Sequence, residues 1–182
     1  MDASQSRSLI PWRVFYTRPR AEKKCEQRLK DRRVDVFLPI QTVVRQWSDR
    51  RRKINQPLFQ NYIFARVTER ERLMVLRSPG IVRCVAFGGQ PAAVTPAEID
   101  RLRILQTRPE WLEPTELPMP GLGEEVTVES GPMQGLTGMV VAHRGRTHLV
   151  VQIPSIRQAV KVIMPLTHVQ NGLTASHHRS YS

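Results

Sequence analysis

The sequence of 182 residues predicts an α+β fold, in which an antiparallel sheet with helices is followed by a small all-β module. One observation is that strand-like and helix-like patterns alternate up to residue 105. A second is a cluster of prolines between residues 106 and 122, which separates the two parts. A third is a pair of apolar runs at residues 126–141, whose intervening glycines and proline indicate a tight β-hairpin.

Four strands are expected in the first part, because aromatic and β-branched residues cluster in short runs. They are predicted at residues 12–17, 34–44, 57–67 and 81–87. Pro39 lies within the second run and indicates an edge strand or a bulge, since proline cannot donate a hydrogen bond to a sheet. The polar, basic residues 45–55 between the second and third runs predict a protruding hairpin loop.

Three helices are expected in the same part. Cys25 and Leu29 lie at helical spacing and predict one helix over 19–33. Leu73, Val75 and Leu76 predict a short helix over 69–77. Thr95 and Glu98 form the capping box of a third helix, with a proline at its first position. The order β-α-β-β-α-β-α describes an antiparallel sheet with helices packed on one face, which is the outline of an RRM-like, ferredoxin-related module.

The second part is predicted to contain only strands, near residues 124–129, 137–143, 147–153 and 158–163. The expected domain organisation follows from these patterns. It consists of a flexible N-terminus at 1–9, a first domain at 10–106, a proline-rich linker at 107–121, a second domain at 122–170 and a disordered tail at 171–182.

The composition excludes several classes of protein. The apolar fraction of 40% is sufficient for a packed core. No apolar run approaches the roughly 18 residues of a membrane span, and the first ten residues lack the apolar core of a signal peptide. We therefore expect a cytoplasmic protein without membrane contact. The two cysteines form no C-x-x-C pair, so Cys25 is predicted to be a buried structural thiol.

The formal net charge of +12 is concentrated in the first third of the chain. Residues 1–66 contain 16 Lys/Arg and 6 Asp/Glu, a balance of 16 − 6 = +10, whereas residues 67–120 contain 7 of each. This asymmetry is expected if one face approaches a polyanion, and a solvated surface that maintains solubility is the alternative.

The sequence contains no nucleophile motif, P-loop or dinucleotide-binding fingerprint. Its five histidines show no metal-ligand spacing. The adjacent Glu124 and Glu125 point to opposite faces of a predicted strand, so they do not form an acid/base pair. We therefore expect a protein that is not an enzyme and that binds no metal or cofactor.

Residues 126–141 read V-T-V-E-S-G-P-M-Q-G-L-T-G-M-V-V and resemble the KOW motif of ribosomal proteins and NusG-class elongation factors. An α/β module, a proline-rich linker and a KOW module in this order resemble the layout of the NusG family over residues 10–170. Residues 12–24 and 78–89 are similar to further segments of that family. Residues 57–64 and 38–53 resemble the specialised RfaH-type and UpxY-type members.

This resemblance implies an RRM-like N-terminal domain and a small SH3-like KOW β-barrel. It also implies a monomeric transcription elongation and antitermination factor that binds the large subunits of bacterial RNA polymerase. Such a factor bridges the clamp helices to the opposite lobe, which suppresses pausing and promotes read-through, here of specific operons. A KOW-type RNA-binding or ribosome-associated structural protein is the alternative.

The resemblance also assigns candidate polymerase-binding residues. Phe59 and Tyr62 match the family's polymerase-contact strand, and Phe15 and Tyr16 are expected to border the same apolar patch. The alternative is that all four are core aromatics.

Candidate nucleic-acid-binding residues lie in the basic segment before that strand, where cations suit phosphates and an indole can stack on a base. They are Arg45, Trp47, Arg50, Arg51, Arg52 and Lys53. We expect contact with upstream or non-template DNA, and a solvated loop is the alternative. Arg20, Lys23 and Lys24 of the first predicted helix extend this surface or form a solvated helical face.

In the predicted KOW module, the loop at 153–158 matches the region that family members use to bind the ribosomal protein NusE or the termination factor Rho. Ile156 and Arg157 are the candidate contacts, although Ile156 replaces the family's common aromatic residue. The alternative is that Ile156 is a simple barrel-rim residue. The glycines and β-branched residues of this module argue against refolding into helices.

Overall fold

The structure is a computed structural model that describes residues 10–46, 50–116, 122–143 and 146–163. Its helices are α1 (Glu22–Asp31), α2 (Glu69–Leu76) and α3 (Pro96–Leu105). The strands of the first module are β1 (Trp12–Thr17), β2 (Asp35–Phe37), β3 (Ile40–Gln46), β4 (Arg51–Pro57), β5 (Tyr62–Arg66), β6 (Ile81–Cys84), β7 (Ala86–Phe87), β8 (Gln90–Pro91) and β9 (Ala93–Val94). Those of the second module are β10 (Leu112–Glu116), β11 (Leu122–Thr127), β12 (Thr137–His143), β13 (Arg146–Ile153) and β14 (Gln158–Val162).

The main sheet of the first module is antiparallel, with strand order β2-β5-β1-β6, and β9 also pairs with β1. In the β1–β5 register, Val14 lies opposite Phe64 and Phe15 lies opposite Ile63. Because neighbouring side chains in a strand point to opposite faces, these two pairs belong to different sides of the sheet.

Each side of this sheet has its own cover. On one side, Phe15 and Ile63 pack with Cys25 and Leu29 of α1 and with Val75 of α2. The other side carries α3, whose apolar residues pack against Trp12, Val14 and Phe64. The expectation that all helices lie on one face is therefore wrong. β1 and β5 are apolar on both sides, so both sides require burial.

The helices otherwise lie close to their predicted positions. α2 and α3 each begin with a complete capping box, formed by Thr68 with Glu71 and by Thr95 with Glu98. α1 begins at Glu22 rather than near residue 19, because Arg20 has a left-handed backbone conformation with φ of 62° that a helix cannot accommodate.

The predicted strand at 34–44 is divided at Pro39, which lies between β2 and β3. β2 joins the main sheet through β5, whereas β3 pairs with β4 in a separate two-stranded ribbon. The basic residues 51–55, predicted as part of a loop, therefore form most of β4. Gln106, which follows α3, fixes the end of the ribbon at Ile40. Its side-chain amide accepts a hydrogen bond of 2.8 Å from the backbone N–H of Ile40 and donates one of 3.0 Å to the Ile40 carbonyl.

The second module is a five-stranded antiparallel sheet with order β10-β14-β13-β12-β11. Its outer strands β10 and β11 do not pair within the described residues, so a closed barrel is not observed. The predicted turn before β12 is confirmed. Gly135 adopts φ of 83°, and a Cβ on Gly138 would lie 2.7 Å from the Val150 carbonyl oxygen.

The proline-rich residues 107–121 do more than connect the modules. They contain a short 3-10 turn, Pro109–Trp111, and the edge strand β10, which pairs with β14. A continuous apolar core then joins the modules, from Trp12 and Phe59 to Leu136 and Val151. None of the helices in the described residues has the length and hydropathy of a membrane span. Residues 1–9 and 171–182, predicted as flexible ends, lie outside the described residues.

Candidate nucleic-acid and partner-binding surfaces

The β3–β4 ribbon displays four of the five cations predicted in the basic segment 45–55. Arg45 lies directly opposite Arg52, and Lys53 lies opposite Val44. All of these side chains are exposed. Within the described residues no carboxylate forms an ion pair with Arg45, Arg52 or Lys53. Trp47, predicted to stack on a base, lies outside the described residues. The structure therefore brings the predicted cations together on one protruding element.

The predicted helix cations lie next to this ribbon. Lys23 Nζ donates a hydrogen bond of 2.7 Å to the backbone carbonyl of Asn55 in β4. Arg20 and Lys24 are exposed at the same end of α1. The start of α1 and the outer edge of the ribbon thus form one basic surface, which we call the ribbon surface.

The predicted aromatic patch is only partly assembled. Tyr16 and Tyr62 face each other across β1 and β5, with ring centroids 5.4 Å apart in an edge-to-face arrangement. Both pack on the cluster that contains Phe59. Phe15 does not border this patch, because it points to the opposite side of the sheet and is fully buried against α1. The three remaining residues, Tyr16, Phe59 and Tyr62, are called the aromatic patch below.

The patch is also less accessible than predicted. Phe59 is only 3% exposed, and Tyr16 and Tyr62 are half-buried. Phe59 and Tyr62 line a cleft whose opposite wall is formed by Pro114, Thr115 and Gln158 of the second module. In this arrangement the second module covers the patch that was expected to be open.

Two residues that sequence patterns did not single out shape the patch. Asn61 adopts a left-handed conformation with φ of 66°, and its backbone N–H donates a 2.8 Å hydrogen bond to the buried carboxylate of Glu22. The guanidinium of Arg83 lies 5.4 Å from the ring centroid of Tyr16. The sequence signal for Asn61 is that it is a turn-forming residue directly before an aromatic one. No sequence signal points to Arg83.

The predicted partner-binding loop of the second module contacts the first module. Ile156 is 4% exposed and belongs to the shared core. Arg157 has a left-handed φ of 53°, and its guanidinium lies 4.7 Å from the ring centroid of Phe87. The backbone N–H of Ser155 donates a hydrogen bond of 3.0 Å to Glu98 Oε1. This loop therefore forms the inter-module interface in the structure.

Sequence patterns missed the first-module side of that interface. Glu98 was predicted only as a capping residue, yet it is 5% exposed and contacts the second module. Thr107 Oγ1 lies 2.8 Å from the carbonyl oxygen of Pro132. Phe87 is a large apolar side chain that is 39% exposed in the structure. Its position directly before two glycines was the available sequence signal for a contact at Phe87.

The thiols are not activated for chemistry. Burial raises the pKa of Cys25 above its ordinary value, and the nearby Glu22 carboxylate raises it further, while Arg28 lowers it. Burial likewise raises the pKa of Cys84. A reactive thiol needs a lowered pKa, so both side chains fit structural roles. In the described part of the chain, no group of three or more His, Cys, Asp and Glu side chains is arranged to hold a metal.

Comparison with known proteins gives consistent matches. A family model described as "Transcription termination factor nusG" matches residues 11–103. The "Transcription termination/antitermination protein NusG" of Rickettsia bellii (strain RML369-C) is 25% identical over 171 residues, which cover 87% of this chain and 88% of that relative.

One solved structure agrees with this chain in fold. The structure described as "Domain interaction in Thermotoga maritima NusG" matches with a TM-score of 0.55 at 20% identity, over 87% of this chain and 95% of that one. The structure described as "Crystal Structure of MjSpt4:Spt5 complex conformation B" matches over 87% of this chain and 95% of that one at 14% identity, with a TM-score of 0.30 that is too low to indicate a shared overall fold. Because the family model spans 93 residues (103 − 11 + 1), more than half of the 182, the chain belongs to the NusG family.

Proposed function

We propose that this protein is a transcription elongation and antitermination factor that binds bacterial RNA polymerase. Its membership of the NusG family, whose relative from Rickettsia bellii is a transcription termination/antitermination protein, supports this function. The structural observation that carries it is the aromatic patch. Tyr16, Phe59 and Tyr62 lie on the side of the sheet that α1 and α2 leave uncovered. The second module covers this face in the structure, and an apolar face of this kind would need a protein partner once that module moved away.

The partner we propose is the pair of clamp helices of a polymerase large subunit, with the other end of the first module contacting the opposite lobe. A protein that touches both sides of the cleft stabilises the closed clamp relative to the open, paused one. A difference of about 1.4 kcal/mol in binding the two states changes their ratio tenfold. No chemical step is needed, because the factor acts by shifting a population.

The aromatic patch and the second module compete for the same face. Phe59 and Tyr62 share a cleft with Pro114, Thr115 and Gln158, so polymerase could dock there only after the second module had moved away. We further propose that the second module is a KOW module that binds NusE or Rho through Ile156 and Arg157. That loop is also occupied by the first module in the structure. Separation of the modules would expose both surfaces together.

The ribbon surface is proposed to contact upstream or non-template DNA while the patch holds polymerase. Its exposed cations and its position on a separate two-stranded element support this role. The similarity of residues 57–64 and 38–53 to RfaH-type and UpxY-type proteins favours action on specific operons.

The test is single-round transcription by the cognate RNA polymerase across a pause site and a terminator, with and without the protein. We expect shorter pauses and more read-through. Tyr62→Ala probes the patch better than a change at Phe59, because Tyr62 is half-buried whereas Phe59 is in the core. Leu73→Ala is the matched control, since Leu73 is 51% exposed on α2, on the other side of the sheet.

The proposal expects Tyr62→Ala to reduce both polymerase affinity and read-through, and Leu73→Ala to change neither. A folded Tyr62→Ala protein with wild-type affinity and read-through would exclude the patch as the docking site. No effect of the wild-type protein on several native leader sequences, together with RNA binding by the whole chain, would favour the RNA-binding alternative.

A further inference from the structure

The β3–β4 ribbon has features that folding stability does not explain. Its strands pair only with each other within the described residues. From Val44 to Gln46 in β3 and from Arg51 to Lys53 in β4 the side chains are exposed on both faces, with Val44 at 60%. A two-stranded ribbon without a covering layer is only marginally stable. Its extension into solvent therefore points to a binding role.

Both faces of the ribbon carry two cations, and on one face the two are directly opposite each other. In the register of β3 and β4, Arg45 lies directly opposite Arg52, next to the pair of Val43 and Ile54. Like charges directly opposite each other in a sheet are unfavourable. No carboxylate among the described residues neutralises either guanidinium. A polyanion on this face would remove the repulsion that the fold itself leaves in place.

The outer edge of the ribbon is lined by the start of α1. Lys23 Nζ donates to the Asn55 carbonyl, which therefore points away from β3. The ribbon extends about 14 Å beyond this contact, because β4 covers four residues between Asn55 and Arg51 at roughly 3.4 Å per residue. The major groove of B-form DNA is about 12 Å wide and admits a two-stranded ribbon. With the ribbon in the groove, Lys23 would lie beside a flanking phosphate strand.

Other nucleic acids fit this shape less well. Single-strand sites rely on several aromatic side chains that stack on successive bases, whereas the sequence from 40 to 57 contains one aromatic residue, Trp47. The major groove of A-form RNA is deep and too narrow for side chains to read. The geometry thus favours B-form duplex DNA over the other two.

We infer that the β3–β4 ribbon inserts into the major groove of duplex DNA, with the face of Arg45 and Arg52 turned towards the groove. Lys23 at the start of α1 contacts the phosphate strand beside it. This inference rests on the nucleic-acid contact proposed above and names its substrate class. Within the proposed function, the bound DNA is therefore the upstream duplex and not a displaced single strand.

The test measures binding of the full chain by fluorescence anisotropy to a labelled DNA duplex, to each separate strand and to the RNA duplex of the same sequence. Titrations at several salt concentrations give the slope of log K against log salt. We expect the tightest binding to duplex DNA. R45Q/R52Q should weaken it about tenfold or more and flatten the slope by about one to two, since each phosphate contact contributes about 0.9.

Two matched variants remove the same charge elsewhere. R70Q/R77Q acts on exposed arginines of α2 and its C-cap, and R51Q/K53Q acts on the other face of the ribbon. Both should weaken duplex binding less than R45Q/R52Q. Equal affinity for a single strand or for duplex RNA would overturn the inference. So would equal losses in all three folded variants, because this would show a non-specific charge effect.

A transcription assay with the same proteins separates this inference from the proposed function. Full read-through by a wild-type protein that does not prefer duplex DNA would overturn the groove contact and leave the proposed function standing. Preferential duplex binding that depends on Arg45 and Arg52, without any effect on transcription, would support the groove contact and contradict the proposed function.

Discussion

The backbone N–H of Ser155 in the second module donates a 3.0 Å hydrogen bond to Glu98 Oε1 in the first, across 57 positions of sequence. The other carboxylate oxygen accepts from the backbone N–H and the hydroxyl of Thr95, at 2.8 and 3.0 Å. Glu98 and Ser155 are both buried. One carboxylate therefore caps α3 and fixes the position of the second module.

Glu98→Gln should destabilise the protein by about 1–2 kcal/mol, because hydrogen bonds to a buried charged group are stronger than those to an amide. Urea denaturation measures this change. Glu71→Gln is the matched control, since Glu71 closes the equivalent capping box of α2 but is half-buried and makes no hydrogen bond to the described residues of the second module. We expect about 0.5 kcal/mol or less there. Equal costs at the two sites would show that Glu98 acts only as a cap.

Phe87→Ala removes the surface that the Arg157 guanidinium covers at 4.7 Å. A contact of this kind stabilises by about 0.5–1 kcal/mol, so the modules should separate roughly two to five times more often. Hydrogen exchange of the Ser155 amide measures this separation. Val82→Ala, at an exposed apolar position in β6, serves as the control. Unchanged exchange at Ser155 in Phe87→Ala would show that the cation–π contact does not hold the interface.

Gly80→Ala should be strongly destabilising. Gly80 has φ of 97°, and an added Cβ would lie 2.7 Å from Cys25 Sγ. Backbone strain and the clash together should cost about 3 kcal/mol or more. Gly88→Ala is the control, because Gly88 also has a positive φ of 56° but faces open space. It should cost about 1 kcal/mol, and in a Cys25→Ala background the Gly80 penalty should shrink. A Gly80 penalty no larger than that at Gly88 would contradict the predicted clash.

Folding stability should fall as the pH rises above about 8.5, the ordinary pKa of an unfolded cysteine. Burial raises the pKa of Cys25 in the folded state, so the folded protein favours the protonated thiol. The stability that this preference contributes is complete below the unfolded pKa and is lost as the pH rises through the folded pKa. Urea midpoints at a series of pH values should decline less steeply in Cys25→Ala. Parallel curves would exclude Cys25 as a source of the decline.

Local residue chemistry was sufficient to predict many of the elements. The capping boxes of Thr68 and Thr95 involve residues three positions apart, so they are visible in the sequence. The same holds for the turn at Gly135, where the backbone conformation itself requires glycine. The clustering of the predicted cations on one surface could also be predicted from the sequence, because most of them are neighbours along the chain.

Long-range pairing decided what local patterns could not. Residues 51–55 look like a polar loop, yet they form a strand because β3 offers them a partner. Residues 112–116, within the segment predicted as a linker, likewise become an edge strand because β14 pairs with them, some 45 positions later. Whether an extended segment becomes a strand depends on which partner the fold brings beside it.

The α+β class, the NusG family and the basic character of the first module could all be predicted from the order of the residues. The tertiary structure alone decided that Phe15 is buried behind the sheet, that Phe59 lies beneath the second module and that Glu98 joins the two modules. The physical reason is the range of the interactions. Caps, turns and charge clusters form between near neighbours, whereas burial depends on which distant surfaces exclude water together.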